Sequence, residues 1–176
     1  MKFFFFILLL FVGCGYKPSN IYQKQTLGKN IKAIVNINSQ NPKKDAFLKD
    51  SLHDAIYTTF NTNLVNDNEN TTIILYLLSS SINPLDYDEN GFPILYRSKV
   101  KLKAKIIDKN KKTRFYKISG TYDFAITANS ALNDQIKFDA FKKASINALN
   151  KLLAKITING VNYDNKWDSQ KNISTL

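Results

Sequence analysis

Five positive side chains, Arg97, Lys99, Lys101, Lys103 and Lys105, recur at every second position with Ser98, Val100, Leu102 and Ala104 between them. In an extended strand alternate side chains share a face, so these five form a comb with teeth about 6.6–7 Å apart. No acidic residue enters the run before Asp108. The chemistry this pattern offers is the binding of an anion. A solvated sheet face would look the same, as would an edge strand made unwelcoming to other strands by lysine. A surface that is merely soluble usually mixes its signs, so an anionic partner is expected over this one. Lys117 extends the patch, and Arg114, Lys111 and Lys112 lie near its end.

Catalytic and metal chemistry finds little else to use. His53 is the only histidine and Cys14 the only cysteine, so neither a zinc cluster nor a histidine-based triad can be assembled. His53 is expected on the polar side of a helix, in solvent. There is no glycine-rich phosphate loop and no nucleophile elbow. A two-carboxylate hydrolase leaves no motif to look for, yet nothing in the sequence points to one. No enzyme activity, cofactor or resident metal is expected. Asp86-Tyr87-Asp88-Glu89-Asn90-Gly91 matches the first half of a calcium loop. Position twelve of that loop, however, is Arg97, where a bidentate Glu is required. Acidic residues ahead of Asn-Gly make a good turn without a metal.

Cys14 has a different use. Met1-Lys2, the apolar run Phe3–Val12 and the small residue Gly13 have the form of a secretory signal. Ten helical residues span about half of a bilayer's hydrocarbon, so the run is too short for a transmembrane anchor. Phe11-Val12-Gly13-Cys14 resembles a bacterial lipobox, with Phe11 in place of the usual Leu. The resemblance implies cleavage before Cys14 and acylation of that cysteine, and more than one acyl chain holds a protein stably to a bilayer. Gly15 after the cysteine favours the outer membrane by the same resemblance. The net charge of +11 must then act outside the cytoplasm, which makes nucleic acid a poor partner. Lipid head groups, lipopolysaccharide phosphates or an acidic protein wall are better ones.

The elements that position the comb follow from periodicity. Residues 1–13 read as signal, 14–30 as a lipid-anchored linker, 31–160 as one domain and 161–176 as a polar, loosely held tail. Ile31, Ala33, Val35 and Ile37 give a first strand. Asn41-Pro42 opens a helix whose apolar stripe is Leu48, Leu52, Ile56 and Phe60, ending by Asn61. Residues 63–70 read as a loop. A second strand, Thr71–Ile82, is stopped by Asn83-Pro84. The comb strand, Tyr96–Ile106, buries Val100, Leu102, Ala104 and Ile106. A fourth strand turns Tyr116, Ile118, Tyr122, Phe124 and Ile126 inward, with Gly120 at a bulge or a close packing contact. A long helix from Ser130 to Ile158 presents Ile136, Ala140, Phe141, Ala144, Ala148, Leu152 and Ile156. The order β-α-β-β-β-α predicts an α+β fold, two helices on one face of a four-stranded sheet, the other face being free.

With these residues in view the sequence resembles the lipopolysaccharide-assembly lipoprotein LptE family. The likeness runs from Cys14 to about Ile158. It rests on Cys14-Gly15-Tyr16, the strand Ile31–Ile37, Leu48-Lys49-Asp50-Ser51-Leu52, Asn90-Gly91, Tyr96-Arg97-Ser98-Lys99-Val100 and Tyr122-Asp123-Phe124. It implies a non-enzymatic subunit that sits in the lumen of an LptD-type outer-membrane β-barrel. There such a subunit helps the barrel assemble, binds lipopolysaccharide and assists its delivery to the outer leaflet. Carried over by position, the family's basic binding residues fall near Glu89 and Ala131, neither of them basic. The comb at Arg97, Lys99, Lys101, Lys103 and Lys105 is therefore the expected lipopolysaccharide contact on its own evidence. The other class in play is an outer-membrane lipoprotein that binds a different anionic ligand, or peptidoglycan, without a barrel.

Overall fold

In a computed structural model, residues 27–36, 41–127 and 132–171 are described, with 160–171 described as backbone only. Cys14, the signal and most of the expected linker lie outside the described residues, as do Ile37 and Ala131.

Ile31, Ala33 and Val35 alternate with Lys32, Ile34 and Asn36 along β1 (Asn30–Asn36), and Ile31 and Val35 are buried. The next element, α1 (Pro42–Phe60), starts where the sequence places it. The Asn41 side chain accepts from the Lys44 N–H, and Pro42 occupies the first turn, where its missing N–H has no intrahelical partner to lose. Asn61 ends the helix in the left-handed region at φ 46°, its N–H donating to the Tyr57 carbonyl. Leu48, Leu52, Ile56 and Phe60 are all buried.

Then come β2 (Asn63–Leu64), β3 (Thr71–Tyr87), β4 (Pro93–Ile107) and β5 (Thr113–Ala125). They form one sheet in the order β2-β1-β3-β4-β5. β1 is parallel to β2 and β3, with α1 as the crossover, while β3, β4 and β5 are antiparallel neighbours. The final element is α2 (Asp134–Lys171). It packs on β4 and β5, α1 packs on β1 and β2, and the two helices touch each other. A single apolar cluster joins the inward residues of the strands to both helix stripes.

The α+β class and the two helices on one sheet face are as the sequence predicts. Four details differ. The sheet has a fifth strand, because Asn63 donates to the Lys29 carbonyl at 2.8 Å and Val65 to Ile31 at 3.0 Å. β3 does not stop at Asn83-Pro84. β1 ends opposite Tyr76, so beyond that point β3 has β4 alone as a neighbour among the described residues, and a proline on such a flank breaks no ladder there. Leu27, assigned to the linker, is 1% exposed within the core, and the Thr71 hydroxyl donates to its carbonyl at 2.7 Å. Lastly, α2 starts at Asp134 and continues past Ile158 to Lys171, so residues 161–171 of the expected loose tail are helical.

Gly120 is a close packing contact, not a bulge, for β4 and β5 pair without a register shift. A Cβ at this position would run into the backbone of Ala144 and Ala148 on α2. The same helix reaches over β5, the last strand on its side. Asn147 donates to the Thr121 carbonyl at 2.9 Å and Lys151 to that of Ser119 at 3.4 Å.

Candidate functional site

The comb strand lies between β3 and β5, and its alternation is strict. Ser98, Val100, Leu102, Ala104 and Ile106 are buried beneath the helices, which turns Arg97, Lys99, Lys101, Lys103 and Lys105 to the opposite face. No described element covers that face.

Register turns the comb into a series of rungs. Across β3, β4 and β5 they are Asn83–Arg97–Asp123, Ser81–Lys99–Thr121, Ser79–Lys101–Ser119, Tyr76–Lys103–Lys117 and Ile74–Lys105–Phe115. The first rung is neutral. Arg97 grips Asp123 with two hydrogen bonds, Nε to Oδ1 at 2.7 Å and a terminal nitrogen to Oδ2 at 2.6 Å. Those hydrogen bonds, then the guanidinium charge, hold the Asp123 carboxyl below its ordinary pKa and raise that of Arg97.

The next two rungs flank lysine with hydroxyls, and the last two are basic and aromatic. Lys103 stands directly opposite Lys117, a juxtaposition of like charges that is unfavourable by itself. The Lys103 ammonium is 4.9 Å from the centre of the Phe115 ring and 5.8 Å from that of Tyr76, cation–π geometry in both cases. Phe115 is 59% exposed. Among the described residues, Asp123 is the only acid in a salt bridge with a comb side chain, while Glu69 accepts from Thr72 towards the other edge of the face. The arrangement suits a ligand that presents several negative groups and some apolar surface.

All five comb residues are thus brought together, and Lys117 joins them. Arg97 differs from the other four because its charge is already answered. Arg114 shares the parity of Tyr116 and faces the helix side, while Lys111 and Lys112 sit in the β4–β5 turn, where Lys112 donates its backbone N–H to Asp108. Tyr76 and Phe115 were missed by sequence reasoning. The parity of Phe115 was legible and that of Tyr76, inside an unbroken apolar run, was not; the place of both beside Lys103 depends on register, and β3 carries a shift between Leu77 and Ser79.

Asp86–Gly91 is the β3–β4 turn. The Asp88 carboxylate accepts from the backbone N–H groups of Asn90 and Phe92 at 2.9 and 2.8 Å, so it serves the turn. His53 is half-buried and not simply solvated, its Nε2 3.4 Å from the Ala33 carbonyl. Among the described residues no group of three or more His, Cys, Asp or Glu is placed to hold a metal, and no helix is long and apolar enough to cross a membrane.

No protein-family model matches the sequence, and no curated protein matches it. Solved structures do. Rare lipoprotein B from Shewanella oneidensis superposes with a TM-score of 0.54 at 16% identity, over 77% of this chain and 98% of that one. A minor lipoprotein from Acinetobacter baumannii gives 0.51 at 11% identity, over 74% and 92%. Lipoprotein B from Nitrosomonas europaea gives 0.51 at 13% identity, over 73% and 82%. At such identities the likeness is one of fold, and the fold of this chain is one found in bacterial lipoproteins.

Proposed function

We propose that the protein is an outer-membrane lipoprotein, acylated at Cys14, that occupies and helps assemble an LptD-type β-barrel and assists delivery of lipopolysaccharide to the outer leaflet. The observation that carries the reading is the uncovered sheet face, on which Lys99, Lys101, Lys103, Lys105 and Lys117 have no acidic partner among the described residues. Lipopolysaccharide offers what such a face lacks, closely spaced phosphates beside apolar chains. The lipoprotein fold and the lipobox-like Phe11–Cys14 support the location. On this reading the domain acts by filling space and by presenting charge.

Extraction in mild detergent followed by affinity capture tests the barrel partnership. A large outer-membrane β-barrel should copurify, and depletion of the protein should remove lipopolysaccharide from the cell surface. Recovery of the protein alone, with surface lipopolysaccharide intact after depletion, would overturn the proposal and leave a lipoprotein for some other anionic ligand or peptidoglycan.

A further inference from the structure

A second basic site lies on the other side of the sheet. At the end where α1 and α2 both begin, a groove of about 570 Å³ opens between their first turns and strands β3 and β4. Lys43, Lys44 and Lys137 line it, with Asp134 as the only acid among the lining residues, 3.1 Å from Lys137. Lys43 holds its ammonium 4.3 Å from the centre of the Phe138 ring and Lys44 5.0 Å from that of Phe141. The Lys44 ammonium also donates to the Ser80 hydroxyl at 3.0 Å. Three ammonium groups therefore face one carboxylate above an aromatic surface.

A further observation comes from Ser98. It lines the groove, is only 1% exposed and turns its hydroxyl to the helix side of β4. A hydroxyl can both donate and accept, so Ser98 offers a hydrogen bond to a ligand in this positively charged cleft. The first turns of two helices add their N-terminal partial charge in the same direction.

We infer that this groove is a binding site for the phosphate group of an amphiphile. Lysines supply point charges suited to a multi-oxygen anion, Ser98 adds a hydrogen bond from below, and Phe138 and Phe141 receive the apolar part. A volume of this size accommodates more than a phosphate ion. The site is independent of the comb: Ser98 points to the helix side of β4, whereas Arg97 and Lys99 point away from it. Either site can therefore fail while the other stands.

The test is calorimetric titration of the full chain in a non-ionic detergent with short-chain dihexanoyl phosphatidic acid, and separately with inorganic phosphate. Replacing Lys43, Lys44 and Lys137 together by Gln should weaken phosphatidic acid binding by about tenfold or more. Ser98→Ala should weaken it several-fold, and K101Q/K103Q/K117Q should leave it within about twofold. Inorganic phosphate should bind at least about tenfold more weakly than the lipid. If the triple groove variant does not fold, Lys43→Gln alone, at an exposed side chain, should still weaken binding measurably. Wild-type affinity in the folded groove variants would overturn the inference. So would loss of binding in the comb variant only, or equal affinity for phosphate and lipid.

Discussion

Arg97 and Asp123 face each other across β4 and β5 as a two-pronged ion pair, with both bonds at 2.6–2.7 Å. The pair closes off one end of the basic face and leaves the charge unanswered from Lys99 onward. It also makes the comb polar along its length, with a neutral rung at one end and rungs carrying Tyr76, Lys117 and Phe115 towards the other.

The pair has a pH signature. Hydrogen bonds from Arg97 keep the Asp123 carboxyl below its ordinary 3.8. A depressed folded-state value contributes stability above the unfolded value and loses it as pH falls through the folded one. A carboxyl-carbon NMR titration of Asp123 should give a midpoint below 3.8, and Arg97→Gln should return it to the ordinary range. A wild-type midpoint at or above 3.8 would show that the pair does not form in solution.

Lipopolysaccharide binding should depend on the unanswered lysines and much less on Arg97. Changing Lys101, Lys103 and Lys117 to Gln should lower affinity by about tenfold or more at low salt. The difference should shrink as ionic strength brings the screening length below about 8 Å. Arg97→Gln, which leaves Asp123 unpaired, should weaken binding as well, but by less than the triple change. Equal affinities for wild type and the triple variant, measured on immobilised lipopolysaccharide, would remove the comb from the proposed function.

Gly120→Ala should destabilise the domain by about 1–3 kcal/mol, the usual consequence of forcing atoms into a packed interface. The added methyl would meet Ala144 and Ala148 backbone atoms, which cannot move without shifting α2. Gly91→Ala makes an instructive comparison. Its φ is 81° but no atom lies within 4 Å of the place its methyl would take, so only backbone strain of about 1 kcal/mol is expected. Urea denaturation of both variants checks the order.

Leu52, fully buried at the centre of the α1 stripe, is the core position to probe. Leu52→Ala should cost about 2–5 kcal/mol in the same denaturation experiment. A loss under about 1 kcal/mol would mean that α1 does not pack on β1 as described.

Much of this arrangement was legible because it is local. The comb is a period-two pattern, the α1 stripe a period-four one, and Asn41-Pro42 and Asn61 mark helix ends by their own backbone chemistry. What escaped depends on partners distant in sequence. β2 is two residues long and carries no period, so only its bonds to Lys29 and Ile31 reveal it. Pro84 reads as a stop unless β1 is known to have ended already. Leu27 stands alone in a polar stretch, yet it joins the core cluster and its carbonyl accepts from the Thr71 hydroxyl, 44 residues away. Tyr76 and Phe115 meet Lys103 through register, which alternation alone does not determine. The groove beside Ser98 needed both helix starts to be placed at one end of the sheet.

The two flanks of the long antiparallel ribbon are guarded against aggregation by unlike means. On the β5 flank, side chains of α2 occupy main-chain acceptors that a foreign strand would need, through Asn147 and Lys151. On the β3 flank beyond Tyr76 no described helix performs that service; instead Pro84 lacks a donor and irregularities at Leu77/Ser79 and Pro84/Asp86 spoil the straight template. On the membrane surface proposed for it, where local concentration is high, these devices disfavour polymerisation of the sheet, although no described element covers its comb face.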